Sequence, residues 1–413
     1  MKSRPETLRW WILLLLFSAM TVNFLDRQVL SLVAPVLRDD LHLSNTEYGT
    51  IVFCFLLGMT LGQIPAGMLL DKKGPRFGFS VLLALWSLAN MAHALARSMF
   101  SLGALRLVLG LGECGTYSGG VKVIGQWFPV KTRAFAAGLF NSGSLIGAII
   151  APPLIVYLMQ RFGWPLAFVI PSSIGLLWIV PWLLVYPREA PAATREAGPR
   201  FSIPPLLRVR AMWGVILIRT FGGPVTHFYW YWLPEYLKRE RHMSLTEIGM
   251  FAWMPFFCGG LGNIGGGWFS SWLIRRGWSV NRARKTAFVL AAILCLFALL
   301  VPAAPTAPAA MACLCLAALG INAFAANLMG LLTDLFPQPI LARVSSLTGV
   351  GDGAMSMCMM LLTGVLVDRF SYLPVFMGAG LFPMLSLASL LILVGRIRPI
   401  PLEEIYGPKL APR

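Results

Sequence analysis

Charged residues are scarce in this chain. Asp, Glu, Lys and Arg make up 12% of its 413 residues, whereas about 25% is typical of a soluble domain. The four histidines, at positions 42, 93, 227 and 242, are too scattered for the nucleophile–base set or metal cluster that an enzyme in a membrane would need. The seven cysteines show no CxxC spacing, so neither a disulfide framework nor a metal site is indicated. We therefore expect a protein that is not an enzyme and has no cofactor.

Apolar residues, at 57% of the chain, dominate instead. They form runs long enough to cross about 30 Å of hydrocarbon as helices, whereas strands of a membrane barrel would alternate between apolar and polar residues. The sequence predicts an all-α polytopic membrane protein with twelve transmembrane helices in two six-helix halves. The spans are predicted at 8–37, 46–70, 78–97, 101–128, 133–159, 164–186, 211–236, 245–274, 284–303, 307–333, 342–367 and 371–395.

The net charge of +17 invites a nucleic-acid partner, but the positions of the basic residues argue against one. With a cytoplasmic N-terminus, most Lys and Arg fall in cytoplasmic loops, which is the bias that sets the orientation of membrane proteins. The first apolar run continues to residue 37 without a small-residue cleavage site, so it is predicted to be a span and not a signal peptide. We expect a multi-pass protein of the cell inner (plasma) membrane with both termini in the cytoplasm.

Two similar halves are expected along the chain. The predicted segments are an N-terminal six-helix bundle at 1–187, a cytoplasmic linker at 188–210, a C-terminal six-helix bundle at 211–396 and a cytoplasmic tail at 397–413. Span four ends at Phe128-Pro129 and is followed by Arg133, and span ten ends at Phe336-Pro337 and is followed by Arg343. Parallel repeats of this kind are found in secondary transporters.

Charged residues inside the spans mark the predicted pathway, because charges in a bilayer are costly and are usually functional. In span four, Arg106 and Glu113 are seven residues apart, about two helical turns or roughly 10 Å along one face. Asp26 of span one is expected at a depth similar to that of Glu113. Its neighbour Arg27 points elsewhere, because adjacent helical residues do not share a face. The alternative is that these are ion pairs that only hold helices together.

Further candidates line the other spans. Gly222, Gly223 and Pro224 are expected to kink span seven next to a run of aromatic side chains, which suits a sugar ring but equally suits an interfacial belt for Tyr231 and Trp232. The alternative for His227 is a satisfied core histidine, and for Asp352 a capped structural carboxylate. The predicted substrate contacts in spans five, seven, ten and eleven are Asn141, Ser144, His227, Tyr229, Trp230, Asn327 and Asp352.

A cytoplasmic gate is predicted at the turn after span two, which reads GMLLDKKGPR. Asp71 is placed to accept hydrogen bonds near the start of span three, and Arg76 can reach the end of a neighbouring helix. Arg133, after span four, is assigned to the same gate. The alternative is a solvated basic loop.

The motifs taken together resemble a known family of transporters. They are NFLDRQ at 23–28, QIPAG…LDKKGPR at 63–76, LRLVLGLGEC at 105–114, QWFPVKTRA at 126–134, FNSGSLIGAIIAPPL at 140–154 and FAWMPFF at 251–257. The chain is similar over nearly its whole length to the anion:cation symporters of the major facilitator superfamily, and most of all to bacterial hexuronate transporters.

The resemblance implies roles for four charged residues. Asp26 and Glu113 match the proton-binding carboxylates of the family, Arg27 matches the arginine that meets the substrate carboxylate, and Arg106 matches the partner of the span-four glutamate. Met59 stands where some close relatives have an aromatic residue. Leu328, Met329 and Asp352 depart from aldonate carriers, whereas Ser144 agrees with hexuronate carriers.

We therefore expect proton-coupled uptake of an organic anion by alternating access, most favourably a hexuronate such as glucuronate or galacturonate. The expected partners are this anion, protons and the lipid bilayer, for a monomer without nucleic acid. Alternatives are carriage of an aldonate, a dicarboxylate or an aromatic acid, an exporter or an uncoupled facilitator, and exchange against a phosphate ester. A channel is disfavoured because filter loops or repeated rings are not evident.

Overall fold

A computed structural model describes residues 4–188 and 202–407, and over these residues all regular elements are helices. The central part of the predicted linker, 189–201, and the end of the predicted tail, 408–413, lie outside the described residues. The α-helices are α1 (Arg4–Leu41), α2 (Asn45–Ala92), α3 (Met99–Glu113), α4 (Gly115–Trp127), α5 (Val130–Phe162), α6 (Trp164–Val185), α7 (Pro204–Arg208), α8 (Arg210–Arg239), α9 (Leu245–Phe251), α10 (Met254–Arg275), α11 (Val280–Cys295), α12 (Ala307–Leu335), α13 (Gln338–Arg369), α14 (Leu373–Ser389) and α15 (Leu402–Tyr406). Shorter helical turns cover His93–Leu95, Leu296–Leu300 and Leu390–Val394.

Eight helices of the described residues are long and apolar enough to cross a membrane. One of them, α2 with the turn that follows it, includes two predicted spans that meet at Gly74, whose φ of 79° interrupts the helix. The predicted fourth span is divided into α3 and α4 after Glu113, and the predicted eighth span into α9 and α10. The helical character is confirmed, and the number of twelve spans stays a prediction.

Serine caps begin several of these helices. Ser44 accepts a hydrogen bond from the backbone N–H of Glu47, whose carboxylate accepts from the Ser44 N–H in return. Ser244 and Glu247 repeat this arrangement at the start of α9. Such reciprocal capping satisfies backbone donors that the first helical turn leaves without partners, so the polar residues between spans define where the helices begin.

The described chain forms two compact units. Unit 1 contains the residues up to 188 together with Tyr231–Trp253, and unit 2 contains residues 202–230 together with those from Met254 to 407. The predicted boundary between the bundles at 188–210 assigns 231–253 to the second bundle, so the two divisions differ in that segment, and the six-plus-six division stays a prediction.

Glycines allow the helices of unit 1 to approach closely. A Cβ added at Gly143 or Gly147 of α5 would overlap the carbonyl oxygens of Phe17 and Thr21 on α1. One added at Gly110 of α3 would likewise overlap the backbone of α2. Small residues that let backbones touch are the usual packing device between membrane helices, and here they hold α5 against α1 and α3 against α2.

Candidate functional site

A buried ion pair joins α1 and α3 in unit 1. Nε and Nη2 of Arg27 donate to Oε2 of Glu113 at 3.0 and 2.9 Å. The side chains are 10% and 0% exposed, so the pair is dehydrated. Nη2 of Arg27 also donates to Oδ1 of Asn23, one turn earlier on α1, at 3.3 Å. The guanidinium is therefore fixed by two helices, and Oε1 of Glu113 has no hydrogen-bond partner in the described structure.

Arg106 lies beside this pair but does not join it. Its side chain is buried, and its Nε and Nη2 have no hydrogen-bond partner among the described residues. The guanidinium carbon lies 5.7 Å from the centroid of the Phe55 ring, and that of Arg27 lies 5.5 Å from the same centroid. Two arginines thus flank one aromatic ring, and only one of them has a carboxylate partner.

In this structure the carboxylate of Glu113 forms its ion pair with Arg27 and not with the expected Arg106. The part of Arg106 in proton coupling stays a prediction. Arg27 comes from a different helix and reaches Glu113 from the side.

Asp26 lies in a separate environment, as the sequence predicts for a neighbour of Arg27. Its Oδ1 accepts hydrogen bonds from Nδ2 of Asn90 at 3.1 Å and from Oγ of Ser172 at 3.4 Å. The carboxylate is fully buried, and Oδ2 has no partner in the described part of the chain. Sequence analysis missed Asn90 and Ser172, although both are polar residues within apolar spans.

Aromatic residues from the end of α8 pack beside this centre within unit 1. Oη of Tyr48 donates to the carbonyl oxygen of Tyr231 at 2.6 Å. The rings of Phe55 and Tyr231 are 6.1 Å apart, and those of Tyr48 and Trp232 are 4.9 Å apart. Tyr231 and Trp232 are buried. They therefore do not form the interfacial aromatic belt that the sequence analysis kept as an alternative.

Another buried carboxylate lies near the ends of α1 and α8 in unit 1. Glu235 is fully buried and accepts from Nη1 of Arg38 and, at 3.2 Å, from Nε of Arg239. Arg239 also donates to Asp39, and Arg38 donates to Oδ1 of Asn45 at 2.7 Å. Sequence analysis assigned no role to this cluster, because its members lie at predicted span ends.

Unit 2 has an ion pair of its own, between α8 and α13. Nε of Arg219 donates to Oδ2 of Asp352 at 3.1 Å. Oγ of Ser356 donates to Oδ1 of Asp352 at 3.2 Å and lies 3.1 Å from Nδ1 of His227. The rings of His227 and Trp230 are 5.5 Å apart. Two predicted substrate contacts, His227 and Asp352, are thus linked through Ser356, and neither Ser356 nor the pairing of Arg219 was anticipated.

Other predicted substrate contacts do not join these centres. Asn141 is exposed on α5, and its carbonyl oxygen accepts from the hydroxyl of Ser144 at 2.7 Å. Tyr229 is buried beside Phe228, and its hydroxyl has no hydrogen-bond partner among the described residues.

Asn327 of α12 ties helices together. Its amide nitrogen donates to the carbonyl oxygens of Gly266 at 3.0 Å and Ala323 at 2.9 Å. One hydrogen bond thus joins α12 to α10 and the other stays within α12, and substrate contact by Asn327 remains a prediction.

The predicted gate residues each have contacts within unit 1. Asp71 pairs with Nζ of Lys122 at 2.7 Å. Arg76 donates to the carbonyl oxygens of Leu183 and Tyr186 at the end of α6, which confirms that it reaches a neighbouring helix end. Arg133 donates to the carbonyl oxygen of Gly125 near the end of α4 at 3.0 Å. The gating role of these residues stays a prediction.

The chain is similar to known membrane transporters. The profile of the Major Facilitator Superfamily matches residues 16–321. The chain belongs to this superfamily. A similar relative is the hexuronate transporter of Escherichia coli strain K12, which is 30% identical over 399 residues, with 92% of each chain covered. The galacturonate transporter of Dickeya chrysanthemi is 33% identical over 307 residues, which cover 70% of this chain and 89% of the relative.

A solved structure supports the superfamily fold. The D-xylose-proton symporter matches with a TM-score of 0.77 and 15% identity, and the match covers 96% of this chain and 99% of that one. At that identity the likeness concerns the fold alone. Members of the Major Facilitator Superfamily are membrane transporters and not enzymes, and the same holds for this chain.

Proposed function

We propose that this major facilitator is a proton-coupled symporter that takes up an organic anion, most favourably a hexuronate such as glucuronate or galacturonate. The observation that carries the proposal is the arrangement of Arg27, Glu113 and Arg106. Glu113 pairs with Arg27, and the buried guanidinium of Arg106 has no carboxylate partner among the described residues, so the centre has spare positive charge and free hydrogen-bond donors in an apolar surrounding.

Competition for Arg27 provides a mechanism for coupling. While Glu113 is ionised, it occupies Nε and Nη2 of Arg27. A proton taken up by Glu113 removes its negative charge and releases these two donors. A substrate carboxylate can then accept a forked hydrogen bond from Arg27, which lysine could not supply. The free donors of Arg106 allow a second contact, so proton and anion bind together.

Asp26 is proposed as a second proton acceptor in unit 1. It is buried, it has no cation within ion-pair distance among the described residues, and its Oδ2 is unsatisfied. An isolated carboxylate in such a place is costly when it is charged. Gain and loss of a proton at Asp26 would therefore accompany any change in its access to water.

The substrate class is inferred from charge and from the relatives. A hexuronate carries one carboxylate and several hydroxyl groups, and the centre offers arginines next to Asn23 and to aromatic rings. The similar proteins are named for hexuronate and galacturonate transport.

We also propose that the protein has two six-helix bundles and cytoplasmic termini. We propose further that Asp71, Arg76 and Arg133 form a gate and that the protein is a monomer.

The proposal is tested by uptake into proteoliposomes. Labelled glucuronate and galacturonate are added outside vesicles whose interior is alkaline, with a pH-sensitive dye inside and without sodium. Proton-coupled symport predicts accumulation of the acid together with acidification of the interior. Uptake without acidification would refute proton coupling, and no uptake of either acid by functional vesicles would refute the hexuronate assignment.

A variant pair assigns the coupling site. Glu113→Gln is expected to abolish acidification driven by substrate, while exchange of substrate across the membrane continues. Glu240→Gln, which changes an exposed carboxylate just after α8, serves as the matched control and should leave both signals unchanged. Acidification that persists in Glu113→Gln would show that this residue does not carry the proton.

A further inference from the structure

The ion pair of unit 2, like that of unit 1, consists of an arginine and a carboxylate within predicted spans. Arg219 donates to Oδ2 of Asp352 at 3.1 Å and, more weakly, to the hydroxyl of Thr348 at 3.4 Å. The side chains of Arg219 and Asp352 are 28% and 19% exposed. A charged pair within predicted spans that remains partly accessible is unlike a sealed structural ion pair, and it is positioned to exchange partners.

A hydroxyl bridge connects this pair to the histidine of α8. Ser356 is fully buried, and its Oγ lies between Oδ1 of Asp352 at 3.2 Å and Nδ1 of His227 at 3.1 Å. Nδ1 also lies 2.9 Å from the carbonyl oxygen of Gly223. With a proton on Nδ1, the ring donates to Ser356 and to this carbonyl, and Ser356 donates to Asp352. The three side chains then form a continuous path for a proton.

Glycines make the contact between the two helices possible. A Cβ at Gly223 of α8 would overlap the carboxylate of Asp352, and a Cβ at Gly351 of α13 would overlap the hydroxyl of Thr220. Because each helix offers a glycine where the other places a polar side chain, the carboxylate sits directly against the backbone of α8. The position of Asp352 is therefore set by the packing of two helices.

Few other ionisable groups belong to the elements around this site. α14 contains no charged residue. The one carboxylate of α12, Asp334, is paired with Arg284 at 2.7 Å. The ionisable side chains that contact Asp352 directly or through Ser356 are therefore Arg219 and His227, both from α8.

We propose that His227, Ser356, Asp352 and Arg219 form a second ionisable centre, in which protonation of Asp352 frees Arg219 to donate hydrogen bonds to hydroxyl groups of the substrate. The proton on Nδ1 of His227 passes to Oγ of Ser356 while the Ser356 proton passes to Oδ1 of Asp352. Imidazolium and carboxylate become neutral imidazole and carboxylic acid, and the hydroxyl is regenerated. Arg219 then retains its charge without a charged partner.

This inference rests on the proposed transport of an organic anion and adds a further substrate-binding residue, Arg219, to it. Binding of galacturonate to the purified full-length protein is measured by calorimetry between pH 5.5 and 8.0. The wild type is compared with Asp352→Asn, which keeps the size of the side chain without its charge, and with Arg219→Gln, which removes the cation.

The two variants are expected to change the affinity for galacturonate in opposite directions. Asp352→Asn should bind galacturonate at pH 8.0 at least fivefold more tightly than the wild type, because Arg219 has no charged competitor. Arg219→Gln should bind at least tenfold more weakly at every pH. Unchanged affinity in Arg219→Gln, or an Asp352→Asn variant that keeps the full pH dependence of the wild type, would overturn the proposal.

The role of Ser356 is tested by measuring the rate of proton-coupled uptake. Ser356→Ala should leave the affinity at low pH within twofold of the wild type but slow proton-coupled uptake at least fivefold, and Ser356→Thr, which keeps a hydroxyl, should restore the rate. Equal rates in Ser356→Ala and the wild type would eliminate the path through Ser356.

A measurement without substrate tests this inference independently of the proposed function. The four histidines are labelled with nitrogen-15, His227 is assigned with a His227→Gln variant, and its ring nitrogen signals are recorded by NMR in detergent at one fixed pH. Asp352→Asn should change the chemical shifts of the His227 ring nitrogens, whereas Asp71→Asn should not. If the wild type fails to bind galacturonate, the hexuronate assignment is wrong, and unchanged His227 chemical shifts in Asp352→Asn overturn the second centre itself.

Discussion

The two units each hold an arginine–carboxylate pair, and the pairs differ in exposure. Arg27 and Glu113 are 10% and 0% exposed, whereas Arg219 and Asp352 are 28% and 19% exposed. Arg27 makes two hydrogen bonds to its carboxylate, and the Nε of Arg219 makes one, of 3.1 Å. The chemistry is the same, but the surroundings are not.

Because the two ion pairs differ in exposure, we expect them to differ in how readily they open. Charges in a medium of low effective dielectric constant attract strongly, and separating them leaves an unsolvated charge. The pair of unit 1 can therefore open only when a proton or an anion replaces the lost partner. Water can replace part of the lost interaction in unit 2, so that pair is expected to open more readily and to respond more to salt.

Removal of one arginine should show the largest contrast. Arg27→Ala leaves Glu113 buried without its cation, and we expect a loss of about 3–5 kcal/mol in the free energy of unfolding. Arg219→Ala should cost about 1 kcal/mol or less, because its partner is partly solvated. Unfolding in detergent by titration with denaturant measures both.

A double variant checks the cause of that loss. Arg27→Met combined with Glu113→Leu removes both charges and is expected to recover most of the stability, since an apolar replacement of a buried pair is often neutral. Equal losses for Arg27→Ala and Arg219→Ala would show that exposure does not distinguish the pairs.

The third membrane carboxylate, Asp26, extends the comparison to a group held by neutral donors. Asn90→Ala removes the 3.1 Å hydrogen bond to Asp26, and we expect a loss of about 1.5–3 kcal/mol. Asp26→Asn in the same background should recover part of it, as judged by thermal unfolding in detergent. A loss that Asp26→Asn leaves unchanged would assign the effect to Ser172, the other partner of Asn90.

The packing of unit 2 offers a matched pair of glycine variants. Gly223→Ala places a methyl group against the carboxylate of Asp352, whereas nothing lies within 4 Å of a Cβ at Gly222. We expect Gly223→Ala to cost about 1–3 kcal/mol by overpacking and to displace Asp352 from Arg219. Gly222→Ala should be neutral or should stabilise the helix by up to about 1 kcal/mol. Similar melting temperatures for the two variants would contradict this packing.

The smallest effect is expected at the exposed gate pair. Asp71 is 53% exposed and Lys122 is 24% exposed, and such pairs contribute about 0–1 kcal/mol. Asp71→Asn should therefore change the melting temperature little, while it alters uptake if Asp71 belongs to a gate. A stability loss as large as that of Arg27→Ala would mean that this pair behaves as a buried one.

The sequence predicted the individual charges better than their partners. Asp26, Arg27, Arg106 and Glu113 stand out because charges are rare in apolar spans. The partner of Glu113 could not be read from spacing, because Arg27 lies 86 residues away on another helix. Arg219 was visible as a charge within a span, but its link to Asp352 depends on the contact of α8 with α13.

Breaks within the helices could not be predicted from hydropathy either. The long predicted fourth span is divided after Glu113, and the predicted eighth span is divided into α9 and α10. An apolar run shows where a span can lie, but a local change of backbone direction depends on single residues and their packing. The all-helical class was predictable for the opposite reason, since it follows from composition over the whole chain.

The overlap between position 223 and the carboxylate of Asp352 also bears on how this transporter family can diverge. An acidic side chain at position 223 would lie four residues after Arg219 on the same helix, a spacing that allows an ion pair. It could be accommodated only if position 352 became small. The two positions should therefore change together during evolution, so that the carboxylate moves between neighbouring helices while the arginine that it neutralises stays in place.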